Sequence, residues 1–300
     1  MKHTLLITLS IAAVTGPLFA GLDAIIEPGA KVEKISGEFK FTEGATVNAE
    51  GEIFFTDQPN NAIHRWTREK GVRLFMKPAG RCNGMCFTKD GSLLACADEK
   101  MELWKIAPDG SKTVLLKDYK GKAFNGPNDV WPHPKGGFFF TDPFYKRPWW
   151  THKDPPQGTQ QVYFLPEGAK QPVRVTEDLT QPNGIVGTAD GKNLFVADIG
   201  AKKIWKYKIT KDFKLADKTL FCSMGSDGMT IDVDGRIYLT GSKGVYVFDE
   251  TGAELGIIEV PEKWSANVCI GGPKKQTLFV TSKSGIYTIP LKVKGTPQGK

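Results

Sequence analysis

The 300-residue sequence predicts an all-β fold, a six-bladed β-propeller of four-stranded blades closed by a strand from its N-terminal end. Three observations predict it. First, one unit recurs six times: a polar residue, a turn residue eight positions later, then an apolar strand. Glu43 precedes Gly51 and GEIFFTD, Asn83 precedes Gly91 and GSLLACAD, and Asn128 precedes Gly136 and GGFFFTD. Asn183 precedes Gly191 and GKNLFVAD, Asp227 precedes Gly235 and GRIYLTG, and Asn267 precedes Lys275 and KQTLFVTS. Second, the copies stand 40, 45, 55, 44 and 40 residues apart, the period of strand-rich propeller blades. Third, only five of the six units carry a fourth strand, and an unpartnered strand sits at 31–36. That strand can complete the last blade and remove the edge an open sheet leaves.

In chain order, residues 1–20 have the character of a signal peptide. Lys2 and His3 are followed by an apolar run over 4–14, Pro17 and Leu-Phe-Ala, with cleavage expected after Ala20. The expectation is an exported chain, periplasmic or secreted, whose mature part, 21–300, is the propeller. Within each unit an inner strand follows the polar residue, as in GMCFTKDG and GMTIDVDG, and Asp90-Gly91 and Asp234-Gly235 are strong hairpin turns. An apolar second strand comes next. The third carries an aromatic: AIHRW (62–66), MELWKI (101–106), QVYFL (161–165), KIWKYKI (203–209), GVYVF (244–248) and GIYTI (285–289). The fourth strands are VRLFM (72–76), KTVLLKD (112–118), PVRVTED (172–178), KTLFCS (218–223) and ELGIIEV (254–260). The longest interval contains an insertion, 143–160, rich in Pro, aromatic and basic residues. It is either a lid over one end of the propeller or a loop packed on a neighbouring blade.

The first strand of a propeller blade lies innermost, so residues at one offset converge on one axis. Glu43, Asn83, Asn128, Asn183, Asp227 and Asn267 all bear a side-chain carbonyl or carboxylate oxygen. Converging carboxylates repel one another and lose solvation, and a hard cation relieves both problems. Calcium takes six to eight such oxygens, while the absence of His and Cys from the ring argues against a zinc-selective or copper site. Arg81 and Asp129 flank ring positions and, with Asn83 and Asn128, are candidate substrate contacts.

Composition narrows the functional classes. The net charge is +7, from 40 basic and 33 acidic residues, with no block of Lys and Arg concentrated enough for nucleic acid. No segment after the leader approaches 18 apolar residues, so no membrane partner is expected once the leader is removed. Five cysteines leave at least one unpaired thiol, and Cys82 and Cys86 lack zinc spacing. Neither G-x-S-x-G nor H-E-x-x-H occurs, so metal-assisted attack by water needs fewer parts than a covalent route.

The chain resembles the senescence marker protein/gluconolactonase/regucalcin family over roughly residues 38–290. The resemblance rests on FTEG (41–44), TDQPNNAIHRW (56–66), GRCNGMCF (80–87), GPNDV (126–130), FFTDPFY (139–145), QPNGI (181–185), ADIG (197–200), GSDGM (225–229) and GVYVF (244–248). It implies hydrolysis of a lactone or related ester with one divalent cation on the axis, calcium first, with Zn2+, Mg2+ or Mn2+ also used by the family. Glu43, Asn183 and Asp227 match its metal ligands, Asn128 matches a residue that binds metal or substrate, and Asp227 matches its general base. The partner implied is a small-molecule lactone, met by a monomer or weak dimer. Paraoxonases and diisopropyl fluorophosphatase are similar at greater distance, so a metal-dependent esterase or phosphotriesterase is the alternative enzyme. A binding propeller with a structural metal is the alternative outside catalysis. Ala45-Thr46 departs from the family pattern of Pro and an aromatic and alters the channel wall beside Glu43.

Overall fold

The six apolar runs become the second strands of six sheets: Ile53–Asp57, Leu93–Ala97, Phe138–Asp142, Asn193–Asp198, Ile237–Gly241 and Thr277–Ser282. Neighbouring blades cover both their faces, which is why they read as near-continuous hydrophobic stretches rather than as alternating ones. These assignments come from a computed structural model that describes residues 20–297. The expected leader, 1–20, lies outside the described residues apart from its last position. No described helix is long and apolar enough to cross a membrane.

Each blade is a four-stranded antiparallel sheet ordered from the axis outward. The inner strands are Thr42–Val47, Cys82–Phe87, Val130–Pro132, Pro182–Gly187, Met229–Ile231 and Ser265–Gly271. The outer edge of the sixth blade is Glu33–Ser36, with Glu33 opposite Thr288 and Lys34 opposite Tyr287. The chain ends therefore share one sheet, as the surplus strand requires. The fourth strand of blade three is shorter than PVRVTED suggests, only Val173–Arg174. The hydroxyl of Thr176 there accepts the Val162 amide at 2.9 Å, replacing a ladder carbonyl. A small hairpin, Asp118–Tyr119 with Lys122–Ala123, has no counterpart in the repeat.

The core lies between blades. Ala45, Phe55 and Trp66 of blade one share a cluster with Cys269, Phe279 and Ile286 of blade six. Threonines near the ends of second strands stitch each blade to the next. Thr56 Oγ1 donates to the Asn83 carbonyl (3.3 Å), Thr141 to that of Asn183 (2.7 Å) and Thr240 to that of Ala266 (3.1 Å). At the far end of the channel the C-terminal segment crosses the inner strands. Thr296 N–H donates to the Ile231 carbonyl, and Thr296 and Pro297 line a space of about 30 Å3 with Cys86, Trp131 and Val186.

Two local devices set the positions of the ring residues. The first is the aspartate that ends a second strand. Asp57 accepts the amides of Lys40 and Phe41, Asp142 those of Asn125 and Gly126, and Asp198 those of Thr180 and Gln181. In each case the clamped loop ends two residues before a ring position, Glu43, Asn128 or Asn183. Blade two differs: Asn61 Oδ1 accepts the amides of Ala79 and Arg81, each at 2.8 Å, leaving Asp98 for another use. The second device is the glycine after the ring residue. A β-carbon on Gly184 would stand 2.7 Å from the Asp227 carbonyl oxygen, and one on Gly228 2.6 Å from the Asn267 side chain.

Two stability changes follow. Gly184→Ala forces a backbone shift at the axis and should cost about 1–3 kcal/mol in urea unfolding. Asp142→Ala leaves two buried amides without an acceptor and should cost about 2–4 kcal/mol, with Asp142→Asn milder because its amide oxygen still accepts. A loss under about 1 kcal/mol for either Ala variant would mean that these contacts do not hold the axis.

Candidate active site

The loops clamped by the terminal aspartates deliver their side chains to one mouth of the channel. Glu43, Asn83, Asn128 and Asp227 line a cavity of about 290 Å3 there, with Phe41, Tyr145, Arg147, Gln181, Ile199 and Trp264. Asn183 stands against it: its Nδ2 donates to Asp227 Oδ1 at 2.8 Å and to the Tyr145 hydroxyl at 2.6 Å. Asp227 Oδ2 accepts Trp264 Nε1 at 3.0 Å. Both carboxylate oxygens of Asp227 are thus held, one from blade four and one from the loop before blade six.

Burial governs the electrostatics. Glu43 is 3% exposed, and its carboxyl is pushed well above the ordinary carboxylate range by desolvation and then by the charge of Asp227. Desolvation also raises Asp227, against the opposing hydrogen bonds from Trp264 and Asn183. The Tyr145 phenol is raised, first by burial and then by Asp227, and stays protonated at neutral pH. Arg147 pulls both acids back down.

The sequence-derived candidates separate on inspection. Glu43, Asn83, Asn128, Asn183 and Asp227 converge. Asn267 occupies its place in the ring, but its Oδ1 turns back to the Val268 amide at 2.8 Å, and it does not line the cavity. Asp129 also lies away from the cavity wall, where its carboxylate accepts the amides of Val130 and Ile185 and joins two inner strands. Arg81 is turned outward. Its backbone is left-handed (φ 49°), and its guanidinium donates to the Pro59 carbonyl, pairs with Glu99 at 3.5 Å and covers the ring of Trp149.

The insertion supplies what the repeat does not. Tyr145 and Arg147 wall one side of the cavity. The segment is pinned to blade two by Asp98, whose Oδ2 meets Arg147 Nε and Trp149 Nε1, each at 3.2 Å, and whose carbonyl accepts Trp150 Nε1 at 2.9 Å. Gln157 Nε2 donates to the carbonyls of Lys122 and Ala123 on the extra hairpin, each at 2.8 Å. His152 stacks on Trp150 at 4.9 Å and does not line the cavity. Phe41 and Gln181 sit two residues before a ring position, an offset from which the sequence alone could have produced them.

The donor set suits a hard cation. No three His, Cys, Asp or Glu side chains gather to hold a metal among the described residues, because asparagines complete this cluster. The side-chain amides of Asn83 and Asn128, residues 3% and 4% exposed, make no hydrogen bond to a described residue. A buried carboxylate and a half-buried one, surrounded by unpartnered side-chain amide oxygens, form an oxygen-only site in need of positive charge.

Comparison with known proteins agrees with this architecture. The chain is 27% identical to the gluconolactonase of Zymomonas mobilis over 91% of its own length and 85% of the relative's. The structure of a gluconolactonase from Xanthomonas campestris superposes with a TM-score of 0.84 at 26% identity, covering 91% of this chain and 93% of that one. Diisopropyl-fluorophosphatase of the squid Loligo vulgaris is 27% identical over 86% of this chain and 90% of its own. The profile of the SMP-30/Gluconolactonase/LRE-like region matches residues 41–284, and the chain belongs to that family.

Proposed function

We propose that the chain hydrolyses a sugar lactone, as gluconolactonases do, at the axial cluster. The observation that carries this is the convergence at one cavity of a buried carboxylate, Glu43, a half-buried one, Asp227, and three asparagines, of which Asn183 binds Asp227. Glu43, Asn128, Asn183 and Asp227 would hold a divalent cation, calcium by the hardness of that set, which when bound would supply Lewis-acid polarisation of the lactone carbonyl.

The chain's own residues do the rest. Asp227 is fixed by Asn183 and Trp264, and each of its oxygens keeps a lone pair for a proton. It takes that proton as a water oxygen bonds to the carbonyl carbon. The ring C–O bond then breaks, and the proton passes to the leaving ring oxygen, giving an open-chain hydroxy acid. The Tyr145 hydroxyl accepts from Asn183 and keeps its own proton for a substrate oxygen. Asn83, Asn128 and Gln181 offer donors and acceptors to sugar hydroxyls, while Phe41, Ile199 and Trp264 exclude bulk water. The leader expected at 1–20 assigns this reaction to the periplasm or the exterior. The similarity to the squid enzyme supports a second reading, hydrolysis of a phosphotriester at the same cluster.

The test is acid release from glucono-δ-lactone with calcium and then with chelator, after subtraction of spontaneous opening. Asp227→Asn should lower turnover about 10²–10⁴-fold with the fold intact by circular dichroism. Equal rates for the variant and the wild type would sink the mechanism. A rate indifferent to chelator would remove the cation from it.

A further inference from the structure

Arg147 is the one basic side chain among the described residues lining the cavity, and beyond lowering the two acids it takes no part in the hydrolytic steps above. Its support is more elaborate than its exposure demands. Nε stands 3.2 Å from Asp98 Oδ2, and that carboxylate is 2% exposed and lies outside the cavity wall. The guanidinium carbon is 5.0 Å from the Tyr145 ring centroid and 5.7 Å from that of Trp149. Trp149 is itself held by Asp98 and covered by Arg81 at 4.6 Å. Among the described residues no hydrogen bond is made to the terminal nitrogens of Arg147.

Asp98 would serve as a loop clamp if blade two followed blades one, three and four. Asn61 has taken that task, and the buried carboxylate is committed to Arg147 instead. Asp98 holds Nε, two aromatic ring centroids lie within 5.7 Å of the guanidinium carbon, and the side chain lines the cavity. A guanidinium held this way is a preorganised fork for a planar anion, because little freedom remains to be lost on binding. Sugar hydroxyls do not call for it, since Asn83, Asn128, Gln181 and Tyr145 already offer neutral donors and acceptors.

We infer that Arg147 selects lactones that carry a carboxylate group, the monolactones of sugar diacids, over neutral aldonolactones. This rests on the lactonase reading and adds a substrate class to it. Every lactone yields a carboxylate on opening, so a guanidinium serving the nascent product would favour all lactones alike. Selection by a substrate carboxylate would not.

A matched pair separates the two. Glucono-1,4-lactone and glucaro-1,4-lactone differ in a hydroxymethyl against a carboxylate. The ratio of kcat/KM for the charged to the neutral lactone should fall about a hundredfold in Arg147→Gln, mainly through KM of the charged one, with Arg147→Lys between. An unchanged ratio, whether both rates fall or neither does, overturns the inference, and a merely loosened fold gives that result. If the wild type opens neither lactone, the lactonase reading has failed on its own account, and calorimetric titration with glucarate still decides. With gluconate titrated beside it, a glucarate-to-gluconate affinity ratio that falls at least tenfold in Arg147→Gln upholds recognition of the second carboxylate by Arg147, and an unchanged ratio rejects it.

Discussion

Six strands meet around one axis with almost no room between them, and that crowding is what the rest of the molecule obeys. It explains why glycine follows the ring residue in four of the units, at Gly44, Gly84, Gly184 and Gly228. Backbone or side-chain atoms of the next blade occupy the space a β-carbon would need. It also explains the buried aspartates at the ends of second strands. A loop descending into so narrow a channel cannot leave its amides to water, and a carboxylate at the top of the adjacent strand accepts two of them. Ring residue, glycine and aspartate are three parts of one solution to convergence.

Convergence creates an electrostatic difficulty of its own. Glu43 is shut away from solvent, Asp227 is half-buried beside it, and the charge of Asp227 bears on Glu43. Protein hydrogen bonds reach the Asp227 carboxylate from two sides, whereas the side-chain amides of Asn83 and Asn128 receive none from the described residues. A fold seeking only stability would have paired or removed such groups. Retaining them concentrates negative charge and unpartnered oxygens where the channel opens, which is the arrangement a metal-assisted hydrolase uses and a packing core avoids.

The sequence carries the repeat openly because each unit solves the same packing problem with the same residues, so fold, closure and ring were legible from spacing alone. The site was legible in part. Glu43, Asn128, Asn183 and Asp227 follow from phase, but phase does not determine where a side chain turns once it arrives. Asn267 folds back on its own strand, and Asp129 is taken by amides of two strands. Arg81 reaches outward from a left-handed position that spacing does not reveal. Tyr145 and Arg147 lie in the insertion, which belongs to no unit and so has no phase to read. Trp264 precedes its ring residue by three positions, yet its contact is with Asp227 on another blade, a relation that only closure of the ring creates.

The segment that crosses the inner strands ties the last described residues of the chain to the axis. Thr296 N–H donates to the Ile231 carbonyl, and Thr296 and Pro297 stand against Trp131 and Val186, three positions along their strands from Asn128 and Asn183. Both extremities of the propeller thus serve closure in opposite places: one completes the outermost edge of a sheet, and the other braces the innermost strands. A change at either end is therefore felt at the whole ring rather than at one blade.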